Sequence, residues 1–327
     1  MIYPNFLKKN DTIGITAPSA GVGHKLYDFD RSLNVLKERG FHIIETASVR
    51  NDNERSADAP TRAKELNELF DNPKVNMVMC ASGGDFLDEI LPYVNFDSMQ
   101  NNPKWLMGAS DPTGILYPYT CGYDVATIYG CNAGSYDLVP LKNYLEDNLQ
   151  IIQGNLLEQK SSPRCLSKAP FLVDDLSYDI DSKWQSNVSD LVCSGRCIGG
   201  CIDVLKDFIG TKFDYTKDFI ERYAKDGIIW YFDNFACSSE VLYRTFLQFR
   251  YAGWFENTKA ILIGRTCLPH SDTGMNDTEA ITRAFPDIPV FYQADIGHTL
   301  PHMTMINGAT LHFQFKEEKA TLSFKLD

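Results

Sequence analysis

The sequence predicts an α/β fold: a parallel sheet wrapped by helices in the first part of the chain, and a separate mixed domain of strands and helices in the second. Three observations predict it. Over the first 135 residues, short apolar runs alternate with stretches of helical spacing, the βαβα rhythm of a parallel sheet covered on both faces. Val75–Ala81 (VNMVMCA) is an apolar run, as expected of a strand without a solvent face. After a polar stretch such runs return, and the tail Thr310–Leu326 alternates with a period of two, the pattern of an antiparallel pair.

Each element has its own signal. Thr12–Ala17 (TIGITA) is strand-like and stops at Pro18. Leu26, Phe29, Leu33 and Leu36 recur at helical spacing, with Gly40 as a stop signal. Phe41–Thr46 is strand-like, and Thr61–Phe70 is helix-like, with Ala63, Leu66 and Phe70 on one side. Trp105–Met107 leads into Gly108, a helix begins at about Pro112, and Val125–Tyr129 is a further strand. Residues 137–192 are polar and lose the rhythm. They read as a linker and peripheral excursion, giving domains at 1–140 and 193–327 with residues 141–192 between them. Regularity returns at Gly195. Ile228–Phe232 (IIWYF) is a buried strand. Ser238 or Ser239 caps a helix whose apolar face is Val241, Leu242, Phe246 and Phe249, ending at Gly253. Ala260–Ile263 and Val290–Tyr292 complete the strands.

Composition excludes several classes. Of 327 residues, 44% are hydrophobic and 23% charged, which is globular rather than disordered, collagenous or coiled-coil. No apolar run approaches the roughly 18 residues of a membrane span, and no secretory signal is visible after the N-terminal lysines. The net charge of −12 disfavours a nucleic-acid polymer or an anionic membrane as partner. Nine cysteines scattered through apolar segments read as free thiols in a reducing cytosol, so a cytoplasmic location is expected.

Four constellations can carry chemistry. In Lys104–Thr113 (KWLMGASDPT) a strand runs into Gly-Ala-Ser, and a helix follows at Pro112. Ser110 at that junction either projects a nucleophilic hydroxyl beside a helix N-terminus or serves as an N-cap. Ala81–Asp85 (ASGGD) follows the apolar run. Its paired glycines, Gly83 and Gly84, suit an oxyanion or anion site, or a tight βα turn. Asp295–His302 (DIGHTLPH) places His298 on a loop after a strand, as a general base or a structural imidazole. Asp233, in Tyr231–Asn234 at the end of the IIWYF strand, either orients an imidazole or caps the next turn. Glu240 is a weaker carboxylate candidate, placed where an acid complements a helix dipole.

Two common cofactor signatures are missing. No G-x-G-x-x-G follows a strand, and His298 and His302 are separated by Pro301 with no H-E-x-x-H. No cofactor and no metal are therefore expected, and a hydrolase using His298 and His302 as metal ligands is disfavoured. Cys193, Cys197 and Cys201 recur every four residues without a C-x-x-C, which points to packing.

Taken in order, these segments resemble the LD-carboxypeptidase and microcin C immunity family of serine peptidases. The resemblance spans nearly the whole chain, through Asp11–Ser19 (DTIGITAPS), Met79–Asp85, Met107–Pro112, Ser194–Gly200 (SGRCIGG), Trp230–Asn234, Ala260–Arg265 (AILIGR) and Asp295–Pro301. It implies a Rossmann-like domain carrying the nucleophile, a smaller mixed α/β domain supplying the rest of a triad, and an active site at their interface. By motif, Ser110 is the nucleophile, His298 the base and Asp233 the acid, with the backbone N–H groups of Gly84 and Asp111 as oxyanion donors. The family usually has Glu in an L-E-[DS] context where this chain has Phe232-Asp233-Asn234.

The resemblance further implies a small peptide or aminoacyl-nucleotide substrate: the amide of a murein L,D-peptide or of a peptidyl or aminoacyl nucleotide. Phe232–Asn234 and Tyr251–Phe255 (YAGWF) look more like the immunity branch. Gly83 belongs to the substrate side of the glycine turn. In the immunity branch an aromatic near Trp184 stacks on adenine; otherwise Trp184 anchors its loop. Arg196 either binds a substrate carboxylate or phosphate or forms an interdomain salt bridge. A homodimer is implied, and a catalytically impaired binding protein on the same fold is the alternative.

Overall fold

In the computed structural model, which describes residues 1–138 and 140–327, the chain divides into two compact units. One comprises Met1–Leu156 and Thr304–Gly308, the other Leu157–Met303 and Ala309–Asp327. The second is no smaller than the first, and the division falls at Leu156, because the polar stretch expected as a linker is shared between them. Asn143–Ile152 is a helix of the first unit, with Leu145, Leu149 and Ile152 buried at spacings of four and three. Glu158–Lys160 and Gln185–Ser186 form the two edges of the second unit's sheet.

Among the described residues the first unit has a six-stranded sheet in the order Met305–Asn307, Thr127–Tyr129, Trp105–Gly108, Met77–Cys80, Thr12–Thr16, His42–Glu45. The five strands from the first half of the chain are parallel. Met305–Asn307 returns antiparallel to Thr127–Tyr129; three residues carry no readable period, so its pattern does not announce it. Met77–Cys80 and Trp105–Gly108 are buried at every residue, because helices cover both faces of such a sheet. Helix Leu26–Glu38 buries Phe29, Leu33 and Leu36, each apolar side chain contributing about 1.5–3 kcal/mol. Helix Ala59–Asp71 starts at Asp58, whose carboxylate accepts from the Thr61 N–H at 2.9 Å, with proline in the first turn. The chain leaves Thr12–Thr16 toward one side of the sheet first and the other later. The loops at this switch, beyond the carboxyl ends of the strands, are where α/β sheets bind ligands.

The second unit's sheet has eight strands among the described residues: Glu158–Lys160, Lys319–Lys325, Thr310–Lys316, Leu191–Cys201, Ile228–Asp233, Thr258–Gly264, Val290–Ala294, Gln185–Ser186. Leu191–Cys201 through Val290–Ala294 run parallel, and the outer strands are antiparallel. The alternating tail is a hairpin that turns at Glu317 and Glu318, both with positive φ (54° and 61°), as a two-residue turn between twisted strands requires. Ser238 caps helix Ser239–Tyr251, accepting from the Val241 N–H at 3.3 Å. Leu242, Phe246 and Phe249 are buried beneath it, whereas Val241 is only half-buried. Cys193, Cys197 and Cys201 lie on the strand Leu191–Cys201, where even spacing puts them on one face. The nine cysteines are thiols outside any disulfide, and all but Cys193 are buried. Among the described residues no helix is long and apolar enough to cross a membrane.

Candidate active site

In the first unit, Ser110 follows the strand Trp105–Gly108. The helix Thr113–Tyr123 starts three residues later with Pro112 at the N-cap and no side-chain cap bond, so the serine is not the cap. Its φ is +69°, a left-handed conformation that non-glycine residues adopt at about 1–3 kcal/mol. Neighbouring bonds hold it there. The Ser110 N–H donates to the Tyr129 hydroxyl at 3.0 Å, the Ala109 N–H to Asn132 Oδ1 at 3.0 Å, and the Thr113 N–H to the Ser110 carbonyl at 2.9 Å. The half-buried hydroxyl is presented at a strained strand end beside a helix N-terminus.

The glycine turn lies against this serine. A Cβ at Gly83 would stand 3.1 Å from Ser110 Cβ and 3.3 Å from Ser110 Oγ, so any side chain at Gly83 crowds the hydroxyl. Gly84 follows with φ +146° and packs on Ser19. The Asp111 side chain, which the sequence singled out only for its backbone, ties these loops together. Its Oδ2 accepts from the Ser19 hydroxyl and from the Leu87 N–H (2.9 Å), and the Ala20 N–H donates to the Gly83 carbonyl at 3.2 Å. Burial pushes the Asp111 carboxyl above its ordinary value, more than the Ser19 and Leu87 bonds hold it down. A carboxylate one residue past a candidate nucleophile was the available signal, and Ser19 sits in the DTIGITAPS segment.

In the second unit, the loops after the parallel strands carry the acid and the imidazole. Asp233 closes the strand Ile228–Asp233 and is fully buried, which excludes the surface-cap reading. Its Oδ2 lies 2.7 Å from His298 Nδ1, and its Oδ1 accepts from the backbone N–H of the same His298 at 3.2 Å. The ring contact has the length of a charge-assisted bond but the geometry of an ion pair, without in-line N–H alignment. Gly297, at φ +93°, packs directly on the Asp233 carboxylate. Burial alone would lower the His298 pKa; the Asp233 carboxylate, and more weakly Asp203, outweigh it and leave the ring above its ordinary value. His302 behaves oppositely: burial brings it down to about 4, so it is neutral at neutral pH.

Two anchors support this pair. Asp203 accepts from the Phe235 and Ala236 N–H groups at 2.9 and 3.1 Å, fixing the loop after Asp233. Arg265 and Asp295 form a buried ion pair at 2.7 Å. Arg265 also donates to the Pro301 carbonyl at 3.0 Å, and Met303 N–H to the Asp295 carbonyl at 2.7 Å, closing the loop that bears His298. Sequence reasoning missed Asp203 and the Arg265–Asp295 partnership. Both sit just past strand ends, but their partners lie 30 or more residues away.

Arg196 and Trp184 lie elsewhere. In the parallel register Arg196 pairs with Ile228 and Cys201 with Asp233, so Arg196 stands roughly 16 Å up the strand from the acid. Its Nε is 2.7 Å from Asp226 and its guanidinium stacks on Tyr223 at 4.5 Å, both in its own unit. The salt bridge expected between domains is therefore formed within one unit. Trp184 is 1% exposed, donates from Nε1 to Asp295 Oδ2 at 3.0 Å and stacks on Phe313. It anchors its loop. Glu240 is likewise occupied, accepting from Ser271 and Thr273 at the helix start.

Comparison with known proteins follows the same division. The family description of the LD-carboxypeptidase N-terminal domain matches residues 13–130, and that of the C-terminal domain residues 194–313. A Vibrio cholerae protein carrying a carboxypeptidase name is 26% identical over 100% of this chain and 98% of its own length. The microcin C7 self-immunity protein MccF of Escherichia coli is 24% identical over 97% of this chain and 94% of its own. A structure of MccF in complex with aspartyl sulfamoyl adenosine superposes with a TM-score of 0.84 at 22% identity, covering 99% of both chains. A muramoyltetrapeptide carboxypeptidase from Oxalobacter formigenes superposes with a TM-score of 0.77 at 21% identity, covering 96% of this chain and 99% of that one. At these identities the superpositions establish the shared two-domain α/β fold.

Proposed function

The chain belongs to the LD-carboxypeptidase family, and from that premise we propose that it is a serine peptidase or amidase working through Ser110, His298 and Asp233. The observation that carries the reading is the Asp233–His298 pair: a fully buried carboxylate 2.7 Å from a partly exposed imidazole. The shorter Asp reaches its histidine where the family usually has Glu, which supports a competent acid rather than a protein that only binds.

In this reading Ser110 Oγ attacks the amide carbonyl carbon while His298 accepts its proton. The C–N bond breaks, the leaving amine takes the proton from His298, and water resolves the acyl-enzyme by the same steps reversed in role. The Gly84 and Asp111 N–H groups meet the tetrahedral oxyanion, each such donor being worth about 3–4 kcal/mol. Asp233 stabilises the imidazolium. The substrate is an amide in an aminoacyl nucleotide or in a murein L,D-peptide. MccF, named for immunity to microcin C7 and solved with an aminoacyl sulfamoyl adenosine, supports the first class; the muramoyltetrapeptide carboxypeptidase supports the second. A cytoplasmic homodimer belongs to the same reading.

The experiment is a mass-spectrometric assay of wild type and Ser110→Ala on a murein tetrapeptide and on an aminoacyl sulfamoyl adenosine. Loss of one D-alanine in the wild type alone identifies a carboxypeptidase. Cleavage of the nucleotide amide in the wild type alone identifies the immunity activity. Full activity in Ser110→Ala, or turnover of neither substrate by the wild type, rejects the proposal.

A further inference from the structure

Cys201 is the last residue of its strand and pairs in register with Asp233. Its thiol, the Asp233 carboxylate and the His298 ring offer three ligand atoms that all lie within 4.8 Å of one another. Among the described residues no other trio of His, Cys, Asp and Glu does so.

We infer that Cys201, Asp233 and His298 form a binding site for zinc, whose occupancy silences the acid–base pair. The inhibitory consequence rests on the proposed roles of Asp233 and His298; the binding does not.

Thiolate, imidazole and carboxylate are all zinc donors, with bonds of about 2.3, 2.0–2.1 and 2.0–2.2 Å that leave neighbouring donors about 3.4–3.6 Å apart in a tetrahedron. From a widest separation within 4.8 Å, closure by roughly 1 Å, with Asp233 Oδ2 and His298 Nδ1 opening from 2.7 Å by somewhat under about 1 Å, completes the set. The sulfur selects zinc over magnesium or calcium. Charge favours it as well. A dication with one thiolate and one carboxylate is a neutral buried cluster, which avoids the penalty of a lone buried charge. The Cys201 S–H donates to Asp203 Oδ2 at 3.5 Å, a bond that is given up when the thiol loses its proton; Asp203 stays fixed by two backbone N–H groups. Cys201 and Asp233 are buried, while His298 is 20% exposed and gives the ion a way in.

On binding, the S–H bond breaks, its proton leaves to solvent, and a sulfur–zinc bond forms with no change of oxidation state. His298 coordinates as the neutral ring through one nitrogen, and the other nitrogen carries the ring's remaining proton. No lone pair is then left to accept a proton from a hydroxyl. The fourth position is filled by water.

The test uses the full chain stripped of metal, with cobalt as the spectroscopic probe. One equivalent of cobalt produces a thiolate-to-metal charge-transfer absorption in the wild type, and zinc abolishes it by displacement. Cys201→Ala and the size-preserving Cys201→Ser lose the absorption, while Cys237→Ala and Cys267→Ala keep it. Thermal melting establishes that each variant is folded. Amide hydrolysis by the wild type falls at least roughly 10-fold with one equivalent of zinc, and Cys201→Ala, compared with its own metal-free rate, requires at least roughly 10-fold more zinc for the same loss. No absorption in the wild type, or an absorption that survives in Cys201→Ala, overturns the site. The absorption decides the site even if neither amide is hydrolysed, and that result would reject the proposed activity alone.

Discussion

Asp233 holds His298 twice: its Oδ2 stands 2.7 Å from the ring Nδ1, and its Oδ1 accepts the backbone N–H of the same residue at 3.2 Å. The side chain and its supporting loop therefore share one buried carboxylate. Lengthening that carboxylate does not restore the family's usual arrangement, because Gly297 packs directly on it. Asp233→Glu is expected to destabilise the protein by about 1–3 kcal/mol through overpacking and to lower kcat. A stable, faster Asp233→Glu enzyme would show that the pocket has room for the longer acid.

The same carboxylate governs pH dependence. A general base works in its neutral form, and Asp233 keeps His298 above its ordinary value despite burial. The rising limb of kcat/KM against pH is expected above about 6.5. Asp233→Asn removes the principal raising partner, moves the limb to lower pH and reduces kcat roughly 10³–10⁴-fold. The raised value also contributes stability that is complete below the unfolded pKa and lost as pH rises through the folded one. A limb at or below the ordinary histidine value in the wild type contradicts this assignment.

Gly297 is expected to tolerate no side chain. Its φ of +93° and its contact with Asp233 both oppose a Cβ, so Gly297→Ala costs about 1–3 kcal/mol and displaces His298. Denaturant titration measures the first effect and kcat the second. Unchanged stability together with unchanged kcat would mean that the loop moves freely.

Ser19 packs against Gly84 of the proposed oxyanion turn and donates its hydroxyl to Asp111. Ser19→Ala leaves that buried carboxylate short of a donor, which costs about 1–3 kcal/mol. It is expected to lower kcat more than it raises KM, because the turn is disordered rather than a substrate contact removed. A change confined to KM would instead make Ser19 a substrate contact.

Trp184 and Arg196 carry the two side-chain assignments to substrate made from the sequence, and each can be tested. Trp184→Phe loses the N–H to Asp295 and is expected to cost about 1 kcal/mol with KM for an adenosine-bearing substrate within about twofold. Arg196→Ala is expected to leave KM equally unmoved, since its partners Asp226 and Tyr223 lie in its own unit, five residues along the strand from the position that pairs with Asp233. A tenfold rise in KM for either variant, at unchanged melting temperature, would return that residue to the substrate.

Much of this protein was legible before folding was considered. The apolar runs at Val75–Ala81 and Ile228–Phe232, the stop at Gly40 and the serine cap before Val241 all reappear within a few residues, because each depends on neighbours in sequence. The ordered motifs placed Ser110, Asp233 and His298 at strand ends for the same reason. Helix Asn143–Ile152 was obscured by the polar residues around it, although its buried positions keep helical spacing.

The partnerships of the polar side chains were not legible. Asp111 with Ser19, Asp203 with Phe235, and Arg265 with Asp295 are separated by 92, 32 and 30 residues. Arg196 has the chemistry of an anion ligand, and Trp184 that of a stacking platform. Strand register left Arg196 in the middle of its strand, five residues from the Cys201 end that pairs with Asp233, and the fold buried Trp184 against Asp295 and Phe313. Local order thus follows from the chain's own alternation of apolar, capping and turn residues. Which carboxylate meets which donor follows from sheet register and loop packing, since a buried charge is tolerated only where the fold brings it a partner.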